Sequence, residues 1–289
     1  MTGRIITGLT FEDYRNVEGE NFSTLKFMAK SPLHYLDAKE NGVQEKSGFA
    51  LGSAAHTAVL EPREWLRRYI IQPELTGRVN KDGEPIKLRQ DIRMAEWREL
   101  VERATAEHKS IITESDNETA TAVAQAVMLN PAASKLLRGK VSKEVTIQWT
   151  HSTGFLIRSR LDLVNQTVGT IVDLKTSAVI TPKEWCAAAI RYQYLAQFAM
   201  YADAWHAATG EALTFKALVV EKSPPFDVAV FSISEDDLEF GRRTYEGWLE
   251  TLAQCRASGE FPGVARGAEL PFEIPPWAFP EEDDEILVA

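Results

Sequence analysis

The sequence predicts an α/β protein in which a mixed β-sheet is flanked by helices. Three observations lead there. Residues up to about 140 read mainly as helix. From residue 143 the texture changes to alternating, β-branched segments, the pattern of half-buried strands. Those segments then run β-β-β-α-β-β-α, an order that suits a layered α/β core and not a repeat or a sandwich.

The elements follow in order. Residues 1–47 are mixed and polar, with a turn-like Ser31-Pro32. Residues 49–60 (FALGSAAHTAVL) predict a buried helix of small residues, ended by Glu61-Pro62. Residues 74–90 carry Gly, Pro and Asn with little apolar content and predict an exposed loop. Helices are expected over 91–108 and 116–128, and Pro131 opens a shorter one. EVTIQWT (144–150) is a strand, His151–Gly154 a turn, FLIRSRLDLVN (155–165) a second strand and GTIVDLK (169–175) a third. Thr181-Pro182 looks like an N-cap with proline at the first helical position, opening one long amphipathic helix to about Ala208 that Gly210 closes. Residues 214–222 and 226–233 make two more strands around Ser223-Pro224-Pro225, and Ser234 caps a helix over 235–257. The remainder is proline-rich and irregular.

Composition narrows the class. With 289 residues and 44% hydrophobic content, the chain can bury a large core as one big domain or two small ones. It has no run near the roughly 20 apolar residues a membrane helix needs. Its first residues lack the apolar core of a signal peptide, so a cytoplasmic location is expected. Cys186 and Cys255 are the only cysteines, too few for a disulfide framework or a four-cysteine cluster. The net charge of −10 alone speaks against nucleic acid, because phosphate contacts need Lys and Arg. A carboxylate-rich metal site offsets that argument. So does the acidic run Glu281–Glu285, which supplies half of the excess.

The chemistry concentrates on two neighbouring strands. One carries Arg160-Leu161-Asp162, the next Val172-Asp173-Leu174-Lys175. A hairpin sets them side by side, and period-two alternation puts Asp173 and Lys175 on one face with Leu174 turned away. Adjacent carboxylates repel unless a cation lies between them, and hard oxygen ligands favour Mg²⁺ or Mn²⁺. Such an ion polarises a phosphodiester and activates water, while Lys175 positions or deprotonates that water and offsets developing charge. The Leu174 carbonyl is a candidate further ligand. Asp-x-Lys on a strand is common and is more often just an exposed ion pair, so spacing alone favours the plainer reading. Glu144 opens the first strand as an accessory acid or an edge charge. Arg158 and Arg160 share the alternating face with Asp162 and suit phosphate contacts or internal salt bridges. The loop residues Arg78, Lys81, Lys87 and Arg89 form a candidate DNA-contacting arm, with Arg63, Arg67 and Arg68 beyond the first apolar helix. Phe27, Tyr35 and Trp65 are candidate wedges or core. His56 sits among alanines as a core histidine or a ligand. Gln197 and Tyr201, four apart, share a helix face.

FSTLKFMAKSPLHY (22–35), GSAAHTAVLEP (52–62), KEVTIQW (143–149), RSRLDLV (158–164), IVDLKTSA (171–178), YQYLAQFAMYADA (192–204), ALVVEKSPP (217–225) and IPPWA (274–278) occur in that order. Together with Asp162, ten residues, then Asp173-Leu174-Lys175, they resemble the PD-(D/E)XK nucleases, in particular the RecE-type (exonuclease VIII) phage and prophage enzymes of the RecB-like branch. The resemblance implies a restriction-endonuclease-like core. It implies a single nuclease domain over 1–289, with a mainly helical part to 140 carrying His56, a catalytic sheet over 141–260 and an irregular tail over 261–289. It makes His56, Asp162 and Asp173 metal ligands, Lys175 the catalytic lysine, and Gln197 and Tyr201 the helix pair against the site. It implies Mg²⁺-dependent 5′→3′ degradation of linear duplex DNA in a bacterial host cell, single-stranded tails passed to an annealing protein, and a ring-shaped homo-oligomer. An endonuclease of the same superfamily and a catalytically silent DNA-binding or assembly protein are the alternatives. The intact Asp162, Asp173 and Lys175 set argues against the silent one.

Overall fold

The computed structural model describes residues 2–43, 49–72, 74–79, 81–83, 85–87 and 95–274. In chain order the elements are β1 (Thr2–Ile6), α1 (Phe11–Asn16), α2 (Phe22–Leu25), α3 (Pro32–Glu40), α4 (Phe49–Leu60), α5 (Trp65–Arg68), β2 (Tyr69–Ile71), β3 (Glu74–Val79), β4 (Pro85–Lys87), α6 (Ala95–Ala106), β5 (Ser110–Ile112), α7 (Glu114–Leu129) and α8 (Pro131–Leu136). They continue with β6 (Val141–Thr150), β7 (Leu156–Asn165), β8 (Thr170–Ser177), α9 (Pro182–Arg191), α10 (Tyr194–Thr209), β9 (Thr214–Glu221), β10 (Val228–Ile233) and α11 (Glu235–Ser258).

One six-stranded sheet organises them, in the order β1-β6-β7-β8-β9-β10. All its pairs are antiparallel except β8–β9, which is parallel. The parallel pair requires a crossover, and α9 with α10 supply it. The expected mixed sheet flanked by helices is therefore present.

Two apolar cores lie on the sheet. One joins Ile147, Trp149, Ile157, Leu161, Ile171 and Phe215 to α10 and α11. The other joins Leu163, Val172, Leu174 and Leu218 to α4, α7 and α8. Small residues let α4 approach closely: Ala54 and Ala55 are fully buried, and a methyl group on Gly52 would meet Thr176 Oγ1 at 3.7 Å. Along β7, Leu161 and Val164 face the first core but Leu163 faces the second. Simple alternation therefore breaks at Asp162.

Local chemistry sets the helix ends. Thr10, Thr113 and Ser234 each form a reciprocal cap with an aspartate three residues on. Gly210 and Gly259 close α10 and α11 in the left-handed conformation.

Three expectations need correction. The single helix expected over 182–208 is two, because Gln193 adopts φ 63° between α9 and α10; its side chain turns back to the Ile190 carbonyl at 3.2 Å. The expected N-cap is in place: Thr181 precedes Pro182, and its hydroxyl donates to the Glu184 carboxylate at 2.6 Å. The segment 74–90 contains the antiparallel pair β3–β4, whose order comes from backbone pairing that an apolar pattern does not reveal. The polar N-terminal stretch supplies β1, an edge strand paired along β6 from Thr2 opposite Thr150 to Ile6 opposite Thr146. Arg89 and residues 91–94 and 275–289 lie outside the described residues, as do the side chains of Arg78 and Lys87. Among the described residues no helix is long and apolar enough to cross a membrane.

Candidate metal centre

Strands β7 and β8 pair only from Leu163 opposite Val172 to Asn165 opposite Thr170. The next register position would join Asp162 to Asp173, and there the ladder stops. Asp162 fills the gap with its side chain: Oδ2 accepts the Leu174 peptide N–H at 2.7 Å. On the other side β6 changes too. Glu144 lies opposite Asp162 in register, with φ 52°, a left-handed conformation rare for a residue with a side chain.

α4 brings His56 into this opening. Its Nε2 lies 3.0 Å from Asp162 Oδ2 and 3.3 Å from the Leu174 carbonyl oxygen. Its Nδ1 lies 3.6 Å from Glu144 Oε1. His56, Glu144 and Asp162 thus each present a ligand atom within 4.8 Å of the others. The structure brings together the expected His56, Asp162 and Leu174 carbonyl, and it places Glu144 as a full member of the cluster.

Asp173 stands beside the cluster and forms an ion pair with Lys175. It is completely buried, and Lys175 meets Oδ1 while Oδ2 has no hydrogen-bond partner. Burial pushes its pKa up to about 6; the Asp162 charge adds to this, and Lys175 only partly opposes it. Burial works the other way on Lys175, but Asp173 and Asp162 outweigh it and hold the ammonium above its ordinary value. His56 is likewise penalised by burial, and the Asp162 and Glu144 carboxylates raise it well above the usual imidazole range. For Asp162 burial is overcome by His56, Lys175 and the Leu174 N–H, which keep it low. Three carboxylates, one imidazole and the Leu174 carbonyl are a hard, anionic donor set suited to a divalent cation. The buried Oδ2 of Asp173, left without a hydrogen-bond partner, is a second sign that the residues fit one.

Gln197 donates to the Tyr201 hydroxyl at 3.1 Å. Burial raises the Tyr201 pKa, and Asp173 and Asp162 lie close enough to add to it. The expected helix pair therefore flanks the carboxylates. Lys175 also sits over the rings of Tyr194 (4.9 Å to the centroid) and Phe198 (5.9 Å). Lys26, not singled out from the sequence, has its pKa lowered by burial and further by the nearby Lys175 charge. It rests near the rings of Phe22 and Phe27, 5.7 and 5.9 Å away. No spacing rule points to it, because the contact joins two distant segments.

The arginines of β7 correct the sequence expectation. Arg158 donates to the carbonyls of Tyr14, Arg15 and Val17, so it caps the end of α1. Arg160 is 7% exposed; it binds Glu144 at 2.6 Å and Thr146 at 3.3 Å. The two guanidinium groups lie over the Tyr14 ring, 5.3 and 5.6 Å from its centroid. Both side chains are engaged internally, and Arg160 orients Glu144 of the cluster. Of the proposed basic arm, Lys81 is exposed on a turn. Arg67 and Arg68 pair with Glu64 and Glu61. Tyr35 is no wedge: it is 2% exposed and donates to Glu20 at 2.8 Å. Trp65 packs on Tyr69 and Phe27 on the first core.

A sequence profile for a family described as PDDEXK-like domain of unknown function (DUF3799) matches residues 21–271. A crystal structure from Eubacterium rectale, of a protein provisionally described as an exonuclease, superposes with a TM-score of 0.59 at 15% identity, covering 93% of this chain and 97% of that one. At that identity the likeness concerns the fold. No curated protein matches.

Proposed function

The chain belongs to this PDDEXK-like family, and from that premise we propose that it is a Mg²⁺-dependent exodeoxyribonuclease acting on the ends of linear duplex DNA. The observation that carries the reading is the convergence of His56, Asp162, Glu144 and the Leu174 carbonyl beside the Asp173–Lys175 pair.

His56, Asp162, Asp173 and the Leu174 carbonyl would hold the ion, with Glu144 alongside; Mn²⁺ suits the same donors. When bound, it supplies a polarised phosphoryl oxygen and a more acidic water. The chain's own groups do the rest. Lys175, kept protonated by its carboxylate neighbours, offsets charge on the pentavalent phosphorus. Asp173 and the Tyr194 ring fix where that ammonium points. Gln197 and Tyr201 present amide and hydroxyl groups along the same side for backbone oxygens. No group of the cluster reads base edges, so cleavage is independent of sequence.

The finer features rest on the resemblance to RecE-type enzymes: 5′→3′ polarity, delivery of the tail to a strand-annealing protein, a ring-shaped oligomer and a bacterial cytoplasmic setting.

The test uses end-labelled linear and closed circular duplex with Mg²⁺. Release of nucleotides from the linear form alone is expected. Cutting of the circle makes the protein an endonuclease, and binding without degradation makes it a silent DNA-binding protein. Asp173→Ala and Lys175→Ala each abolish cleavage if the site is right; activity surviving in both refutes it.

A further inference from the structure

The half-buried Tyr194 ring stands next to Lys175, and the exposed Tyr192 ring stands next to Tyr194. Residues two apart on a continuous helix point away from each other. Here the left-handed Gln193 (φ 63°) lies between them, and their ring centroids are 5.7 Å apart. Strained backbone of this kind persists where something around it requires it. Tyr192 is 54% exposed and its neighbour Ile190 49%, an unusual outlay of apolar surface at one helix end. The Arg191 guanidinium sits 5.9 Å from the Tyr192 ring. Inward, Tyr194 stacks on Trp185 at 5.6 Å and on Phe198 at 6.2 Å, and the Lys175 ammonium lies 4.9 Å from its centroid. A file of aromatic rings therefore leads from solvent to the reacting lysine, with a cation at each end.

We propose that Tyr192 and Arg191 form a subsite for an unpaired nucleotide of the DNA strand being cut, the base stacking on the Tyr192 ring and the adjoining phosphate meeting Arg191. This deepens the nuclease reading and rests on it. Aromatic faces bind bases without regard to sequence, because every base has a π-face, and a nearby cation matches the phosphate that each base carries. A base inside a duplex has both faces covered by its neighbours in the stack. The subsite therefore favours a frayed or single-stranded end, and it holds the strand one aromatic step from Lys175.

The probe is a DNA duplex with a short unpaired overhang, 2-aminopurine at one overhang position at a time and a fluorescein at the far end. Chelator prevents cutting. Anisotropy of the fluorescein reports binding, and quenching of the 2-aminopurine reports stacking. Wild type and Tyr192→Phe quench at one position. Tyr192→Leu loses that quenching at saturating protein and binds the overhang about tenfold more weakly. Arg191→Ala keeps the quenching and lowers the salt dependence of binding by about one unit of slope. Equal quenching by Tyr192→Leu, or binding by wild type with no position quenched, overturns the subsite. The same duplex in Mg²⁺ separates the two ideas. Cleavage with no stacking signal removes the subsite alone. Neither binding nor cleavage removes the nuclease reading, and the subsite falls with it.

Discussion

The Leu174 peptide N–H donates to Asp162 Oδ2 at 2.7 Å, at the point where β7 and β8 stop pairing. One side chain thus replaces a ladder hydrogen bond, and the two strands separate just enough to admit His56. The candidate metal centre is built on that opening, so changes around it have specific expected outcomes.

Glu144 bridges His56 and Arg160. Neutralising it as Glu144→Gln removes an anionic donor or an orienting partner of the imidazole. Groups in that position typically change metal affinity about 10–100-fold. Calorimetric titration with Mn²⁺ is expected to show a loss of that size while circular dichroism stays native. Unchanged affinity removes Glu144 from the cluster.

Asp173 provides a pH test. Its folded pKa is about 6, above the ordinary value near 4. Below about 4 the carboxyl is neutral in both states and costs nothing. As pH rises through about 6, the folded protein carries a buried charge that the unfolded chain hydrates freely, and stability falls. In chelator, Asp173→Asn is therefore expected to melt at a higher temperature than wild type at pH 7.5, with the gap closing toward pH 4. With Mn²⁺ the order reverses, because wild type gains the ion's binding energy. A variant less stable than wild type in chelator at pH 7.5 refutes the argument.

Gly241 marks where α11 crosses α10. A methyl group there would lie 2.0 Å from the Leu195 carbonyl oxygen, and that atom is backbone and cannot swing aside. Gly241→Ala is expected to lose about 3 kcal/mol in urea unfolding. A loss below about 0.5 kcal/mol means that the helices part at little cost.

Asp203 accepts from Arg242 Nη2 at 2.9 Å and from the Tyr245 hydroxyl at 2.6 Å, and it is buried. Arg242→Ala leaves that carboxylate short of its cation and is expected to cost about 2–3 kcal/mol. In a double-mutant cycle with Asp203→Asn, the two losses should fall well short of adding. Additive losses show that the pair is not coupled.

The catalytic sheet was legible because each strand carries its own alternation. EVTIQWT and IVDLK need no distant information to declare themselves. Asp162, Asp173 and Lys175 were legible because they sit in those strands at fixed offsets. The membership of His56 came only through resemblance, since its partner Asp162 is 106 residues away. The break at Gln193 was hidden because neither glycine nor proline marks it. Arg158 and Arg160 stayed open between phosphate and internal contacts for a different reason. Alternation assigned their face correctly, but what meets that face is the end of α1, far back in the chain. β1 was missed because five residues on an edge carry too little pattern to show.

The ligand atoms come from α4, β6, β7 and β8, and the Lys81–Gly83 turn lies between the first of these and the rest. A protease nick in that turn would leave the imidazole on one fragment and all three carboxylates on the other. Neither piece alone would concentrate a divalent ion, and mixing them under refolding conditions would restore ion uptake only as the two halves reassociate. Retained metal would then serve as a gauge of fragment complementation, with no substrate required.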